Sequence, residues 1–266
     1  AGGLLGADAV AKAAPDGTTI GLISVTTLCA SPFLHSRMPF DPQKDLTPVT
    51  QVTDGSLLCV VNAETARQRG WTDFRALIAW SKANPEQVRM GSSGTGTTSH
   101  LNISAINHLT GEWFKEVSGA KLLHVPYKGG APALADMLGG QIEMTLETIT
   151  VVRPYLESGR AKVLATGGAT RSPDMPDVPT VREIYGHDFE SYSWTGLVAP
   201  AGTPADVVRK LNAALHAAQD DPELVGQMKA GGQDVIKTTP AEFKQFLAND
   251  TRRWAELIKR TNTSVD

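Results

Sequence analysis

Long apolar runs are the plainest absence in this chain of 266 residues. No stretch approaches the roughly 18 residues that a membrane span needs, and no basic segment precedes an apolar one at the start. Neither an anchor nor a signal peptide is therefore expected in this sequence, and direct membrane insertion is excluded. An excess of one charge is also missing: 25 Lys and Arg face 28 Asp and Glu, for a net charge of -3, and the two signs are evenly spread. Without a basic stripe or a polybasic tail, nucleic acid is set aside as a partner. Cysteine is scarce. Cys29 and Cys59 lie in apolar stretches with a spacing that fits no metal or redox motif, and buried thiols are expected, with one disulfide the alternative. His100 and His108 do not form H-E-x-x-H, and no other His, Cys, Asp or Glu cluster has ligand spacing, so neither a metal nor a cofactor is expected. Ser92, Ser93, His100, His108 and His124 would be the raw material of a hydrolase. Residues 91–95, however, read Gly-Ser-Ser-Gly-Thr rather than a G-x-S-x-G nucleophile elbow, and no catalytic residue is assigned.

What is present is a loop of glycines and hydroxyls. Residues 91–101, Gly-Ser-Ser-Gly-Thr-Gly-Thr-Thr-Ser-His-Leu, join a strand-like run to an amphipathic pattern of Leu101, Ala105 and Leu109. Gly91, Gly94 and Gly96 permit a sharp turn and close approach of backbone to a ligand, and Thr97 or Thr98 is placed to cap the following helix. Strand, glycine loop and helix N-terminus together make an anion site. Gly91 and Gly96 have P-loop spacing, but Thr97 and Thr98 stand where that motif needs Lys and then Ser or Thr. The missing lysine argues for an anion smaller than a nucleoside triphosphate, held by amides and hydroxyls. The alternative is a flexible turn before an ordinary helix.

The rest of the chain alternates. A short helical pattern (Ala7, Val10, Ala11, Ala14) stops at Pro15-Asp16-Gly17, and residues 18–25 read as a buried strand with Ser24, Thr26 and Thr27 at its carboxyl end. A proline-rich loop leads to strand-like runs at 46–52 and 57–62, then to a helix with Thr72 as N-cap that Asn84-Pro85 ends. Past the glycine loop and its helix, strands at 121–125, 142–147 and 161–167 alternate with helical patterns, as in a parallel sheet covered by helices. From Pro204 on the pattern is helical, with almost no strand. Such helices must cover a sheet built elsewhere, so the chain is expected to leave its first lobe, build a second and return. Residues 1–61 with 194–266 form the first lobe, and 62–193 the second.

Several stretches, in order along nearly the whole chain, resemble the substrate-binding proteins of tripartite tricarboxylate transporters, the Bug or TctC family. They include Pro15-Asp16-Gly17-Thr18, Pro39-Phe40-Asp41-Pro42, Lys82-Ala83-Asn84-Pro85, Gly94 with Gly96-Thr97 and Ser99-His100-Leu101, and His124-Val125-Pro126-Tyr127-Lys128-Gly129. Leu138-Gly139-Gly140-Gln141, Asp177-Val178-Pro179-Thr180-Val181 and Ala199-Pro200-Ala201-Gly202-Thr203-Pro204 continue the set. The resemblance implies an α/β, two-lobed periplasmic binding protein-like fold (type II), each lobe a sheet covered by helices. Relatives begin further upstream, so the N-terminal part of the first lobe is expected to be absent here.

The resemblance further implies a monomeric periplasmic protein that captures a small carboxylate, an organic acid or acidic amino acid, in the cleft between its lobes and delivers it to the membrane subunits of a tripartite tricarboxylate transporter. Carried over residue by residue, Ser93, Gly94, Thr95, Gly96, Thr97, Thr98 and Ser99 would hold the carboxylate, with Ser24 and Thr27 contributing from the first lobe. Tyr127, Lys128 and Gly129 would lie at the end of the next strand, with Lys128 either a ligand cation or a solvated lysine. Glu147 stands where the family usually has Asp; it would accept hydrogen bonds from an amino group or bound water, or cap a helix. A ligand-loaded sensor reporting to a receptor, and less directly an enzyme acting on a small anion, are the competing readings.

Overall fold

The computed structural model describes residues 3–93, 101–127, 130–172, 175–186, 189–230 and 232–261. In chain order the elements are α1 (Leu4–Ala11), β1 (Gly21–Ser24), a π-helical turn (Thr26–Ala30) running into α2 (Ser31–Leu34), β2 (Leu46–Asp54), β3 (Leu58–Asn62), α3 (Ala63–Gln68), α4 (Phe74–Ala83) and β4 (Val88–Ser93). They continue with α5 (Leu101–Ser118), β5 (Leu122–Tyr127), α6 (Gly130–Leu138), β6 (Met144–Glu147), α7 (Ile149–Glu157), β7 (Ala161–Thr166) and α8 (Val181–Tyr185). The last are β8 (Thr195–Pro200), α9 (Ala205–Ala218), α10 (Pro222–Ala230), β9 (Asp234–Val235) and α11 (Pro240–Thr261). Residues up to Asp54 and from Trp194 on make one compact unit, and Gly55–Ser193 make the other.

The first unit is built on an antiparallel sheet of order β1-β8-β2-β9. The apolar stripe of α9 covers it: Val208, with Leu211 and Leu215 behind it at helical spacing, packs on Val49, Val52, Leu197 and Ala199. α11 buries Phe243, Trp254, Leu257 and Ile258. Its Asp250 is buried as well, but two indole N–H groups satisfy one carboxylate oxygen, from Trp194 at 2.9 Å and Trp254 at 3.1 Å.

The second unit carries a five-stranded sheet of order β5-β4-β6-β3-β7. β4 runs parallel to β5 and β6, whereas β3 is antiparallel to β6 and β7. Leu58 and Val60 of β3 meet Leu134 and Met137 of α6, Val152 of α7 and Val163 of β7 in one core cluster. An aromatic group, Phe74 of α4, Phe114 of α5 and Phe189, fills another part of the core, with Phe114 and Phe189 stacked at 4.7 Å between ring centroids. Gly111 lets α5 cross β4 closely, since a Cβ there would lie 2.7 Å from Met90 Sδ.

Three expectations are corrected. The boundary between the lobes was expected after residue 61; it falls after Asp54, because β3 hydrogen-bonds to β6 and β7 and belongs to the second sheet. That sheet is mixed rather than all parallel, since β3 enters it in the reverse direction. The helix expected to be capped by Thr72 is capped by Asp73, whose side chain accepts from the Ala76 N–H at 2.8 Å. The two cysteines are free and buried, and burial pushes both thiols up, Cys59 to about 12.

Candidate functional site

In a parallel α/β sheet each strand hands over to a helix at its carboxyl end, so the strand ends and helix N-termini share one edge. In the second unit α5 follows β4, α6 follows β5 and α7 follows β6. Three helix N-termini therefore reach one edge of the sheet, each equivalent to about half a positive charge. Register aligns the last residues there. Ser93 of β4 pairs with Tyr127 of β5, and Gly91 of β4 pairs with Thr145 of β6, two residues before Glu147 ends that strand. Tyr127, Ser93 and Glu147 are thus the last residues of three adjacent strands, a row of strand ends, and all three are among the residues expected from sequence.

Glu147 is the unusual member. It is 3% exposed, and Oε1 has no hydrogen-bond partner among the described residues. Burial pushes its carboxyl up from 4.5 to about 7, against a smaller opposing effect of the Thr148 N–H that donates to it. Gly130, the first residue of α6, faces this carboxylate: a Cβ built on it would collide with Oε1 and lie 3.0 Å from the carboxyl carbon. Oε1 therefore sits at the start of a nine-residue helix with space kept beside it by the lack of a side chain.

Tyr127 serves its neighbours. Its hydroxyl donates to Asp136 Oδ2 of α6 at 2.8 Å, and burial together with that bond raises its pKa to about 12. This ties the last turn of α6 to the end of β5. Ser92, one residue before the row, places Oγ 2.6 Å from His124 Nε2 on the neighbouring strand. Ser92 is 1% exposed, so this pair ties β4 to β5 rather than presenting a nucleophile to substrate.

In the first unit, Ser24 and Thr27 occupy different settings. Thr27 is fully buried in the π-helical turn, which packs on α11 through Cys29. Ser24 ends β1, and its buried Oγ has no partner among the described residues. It pairs with Thr195 of β8, which pairs in turn with Thr53 of β2, and the Thr53 and Thr195 hydroxyls lie 2.8 Å apart. Sequence reading missed Thr53 and Thr195, because only the register of β1, β8 and β2 sets three hydroxyls in one row. Gly94, Thr95, Gly96, Thr97, Thr98, Ser99, Lys128 and Gly129 lie outside the described residues, and Ser93 is placed through its backbone. Among the described residues no group of three or more His, Cys, Asp or Glu is arranged to hold a metal, and no helix is long and apolar enough to cross a membrane.

Comparison with known proteins gives one family and a consistent set of relatives. The profile described as "Tripartite tricarboxylate transporter family receptor" matches residues 1–263. A protein of the tcbD-tcbE intergenic region of a Pseudomonas species is 33% identical over 97% of this chain and 73% of its own length. Protein BugT of Bordetella pertussis is 32% identical over 100% of this chain and 78% of its own. Among solved structures, a periplasmic transporter superposes with a TM-score of 0.82 at 34% identity, covering 100% of this chain and 85% of that one. An R. palustris protein with adipate gives 0.81 at 27% identity, covering 98% and 84%. MatC from Rhodopseudomonas palustris with bound malate gives 0.75 at 29% identity, covering 97% and 85%.

Proposed function

The chain belongs to the tripartite tricarboxylate transporter receptor family, and from that premise we propose that it is a periplasmic solute-binding protein that captures a small carboxylate and delivers it to the membrane subunits of such a transporter. One observation carries the reading: β4, β5 and β6 bring the N-termini of three helices to one edge of the second unit's sheet. That arrangement favours a small anion without a dedicated cation. Relatives whose structures contain adipate and malate support a carboxylate as that anion. In this reading residues 93–99 and 127–129 surround the carboxylate and Glu147 lies beside it. In the first unit the proposed ligand residues are Ser24 and Thr27, and the buried Ser24 hydroxyl has no partner among the described residues.

A binder differs from an enzyme in leaving its ligand unchanged, and Ser92, 1% exposed beside His124, gives no access for attack. The test is a thermal-shift screen of mono-, di- and tricarboxylates, followed by calorimetry and by mass analysis of the recovered ligand. At 100 times its dissociation constant a ligand that binds only the folded state adds about 2.7 kcal/mol. For a chain of this size that is a rise in Tm of roughly 5–10 °C. No shift with any carboxylate, or conversion of the ligand, defeats the proposal. Capture of the transporter's membrane subunits by the loaded protein, and not by a receptor kinase, separates delivery from sensing.

A further inference from the structure

The first unit holds a cavity that takes no part in the carboxylate site proposed above. It measures about 560 Å³ and lies between α9, α11 and the start of β2. Leu46 and Pro48 of β2, Val208 of α9, and Leu247 and Ala248 of α11 give it apolar walls. α11 sends Phe243, Trp254 and Leu257 into the core, while Ala241, Lys244, Ala248 and Thr251, at helical spacing on a second face, line the cavity. From Ala241 to Thr251 that face rises about 15 Å.

Two cations, Arg209 of α9 and Lys244 of α11, stand in this lining, and no described residue of the lining is an acid. Among the described residues neither cation has an ion-pair or hydrogen-bond partner. The acids nearest to them in sequence are engaged: Asp206 lies 4.0 Å from Lys210, and Glu242 accepts from the Thr239 N–H and hydroxyl at 2.7 and 2.8 Å. A second cavity of about 580 Å³ shares Leu28, Pro42, Gln43 and Thr251 with the first and continues to Phe33, Met38 and Phe40. Its Asp41 is held by Lys44 at 2.9 Å. The two cavities make one groove, whose unpaired charge among the described residues is positive and confined to the first.

We propose that this groove binds a single-chain alkyl carboxylate, with its head on Arg209 and Lys244 and its chain laid along α11 towards Thr251 and Leu28. Charge complementarity selects that occupant: a cationic amphiphile would meet two like charges, and a short acid would leave the apolar walls in water. Bonds of about 1.5 Å in a zigzag advance about 1.3 Å each, so the 15 Å face takes a chain of about a dozen carbons. The site is independent of the one proposed above, because its lining lies within the first unit and includes neither Ser24 nor Thr27.

Calorimetry of the full chain with dodecanoate, kept below its micellar threshold, tests this against dodecyltrimethylammonium and butyrate. Dodecanoate is expected to saturate one site and to bind at least roughly 10-fold more tightly than either control. Adipate in excess is expected not to displace it. Two variants at exposed positions probe the groove: Ala248→Trp fills it, and Arg209→Ala with Lys244→Ala removes both charges. Each is expected to weaken dodecanoate binding by roughly 10-fold or more. The selectivity and the adipate competition stand as tests on their own if a variant does not fold. No saturable binding, equal binding of the ammonium analogue, displacement by adipate, or unchanged affinity in a folded variant overturns the inference. Attachment to phosphatidylglycerol vesicles without binding of free dodecanoate, or self-association abolished by Ala248→Trp, gives the groove to a membrane or to a second copy and overturns it too. None of these outcomes bears on the carboxylate site of the second unit, which the thermal-shift screen tests.

Discussion

Two glutamates bracket β6, and they differ in everything except burial. Glu143 and Glu147 are 2% and 3% exposed. Glu143 accepts from the Arg89 backbone N–H at 2.7 Å, from Arg89 Nε at 3.0 Å and Nη2 at 2.8 Å, and from Arg69 Nη2 at 3.2 Å. Arg69 is itself held against the rings of Trp71 and Trp80, 5.3 and 4.6 Å from their centroids. Burial alone would raise the Glu143 pKa, but the Arg89 bonds and the two positive charges outweigh it and hold the carboxyl below its usual value. Among the described residues Glu147 has one backbone donor and no cation acting on it, so burial prevails there. Burial therefore does not decide what a carboxylate is for; its partners do. The paired glutamate locks the entering end of β6 to β4, and the unpaired one stands at the leaving end, where the helices begin.

Breaking the paired site gives the largest expected effect. Glu143→Ala leaves two guanidinium groups and the Arg89 N–H without their acceptor. Loss of one partner of a fully buried pair costs about 3–5 kcal/mol. The Arg69 and Arg89 side chains are 30% and 41% exposed and retain some access to water, so about 2–4 kcal/mol is expected. The urea unfolding midpoint measures it. A midpoint that matches the wild type would mean that the Glu143 network adds nothing to stability, and the contrast with Glu147 would collapse.

The unpaired site is sharpened by pH. The Glu147 pKa is higher in the folded chain, about 7, than the 4.5 of an unperturbed group. Its contribution to stability is therefore fully present below pH 4.5 and is lost as pH rises through 7. Glu147→Gln has no such titration. Relative to wild type, the variant is expected to gain roughly 2–3 kcal/mol between pH 5 and pH 8, with most of the gain falling below about pH 7. Glu143 works in the opposite sense: its stabilisation is present above 4.5 and is lost as pH falls through its lowered folded value. Thermal unfolding of wild type and Glu147→Gln across that range checks the sign. A pH-independent difference between them would show that Glu147 is not the titrating group.

The same pair shows what sequence can and cannot disclose. Strands over 142–147 and 161–167 and the helical run from Pro204 on were legible because apolar spacing, Gly and Pro mark them locally. The membership of β3 was not legible: Leu58–Asn62 is buried throughout, and a strand apolar on both faces suits either sheet equally. Nor was the π-helical turn after β1, where Thr26 and Thr27 read as loop hydroxyls and are instead buried against α11. Glu147 was singled out through its place in a family motif. Its unspent oxygen depends on Gly130, seventeen residues earlier in the sequence, and no local pattern encodes that contact. Glu143 escaped notice because its partners, Arg69 and Arg89, lie 74 and 54 residues away in the sequence.

The smallest effect tests how Glu143 is held. Arg89 grips both carboxylate oxygens with a planar fork, Nε on one and Nη2 on the other. Arg89→Lys keeps the positive charge but offers a single ammonium in place of that fork. The Arg89 backbone N–H and Arg69 remain, so the expected loss at neutral pH is about 1 kcal/mol, well short of that for Glu143→Ala. With fewer donors, the Glu143 pKa moves back towards 4.5, and the stabilisation that disappears on acidification becomes smaller. The gap between wild type and variant should therefore be widest at neutral pH and close as pH falls through the wild-type value. A gap of constant size from pH 7 to pH 3 would assign the loss to packing of the longer arginine side chain instead of to its hold on Glu143.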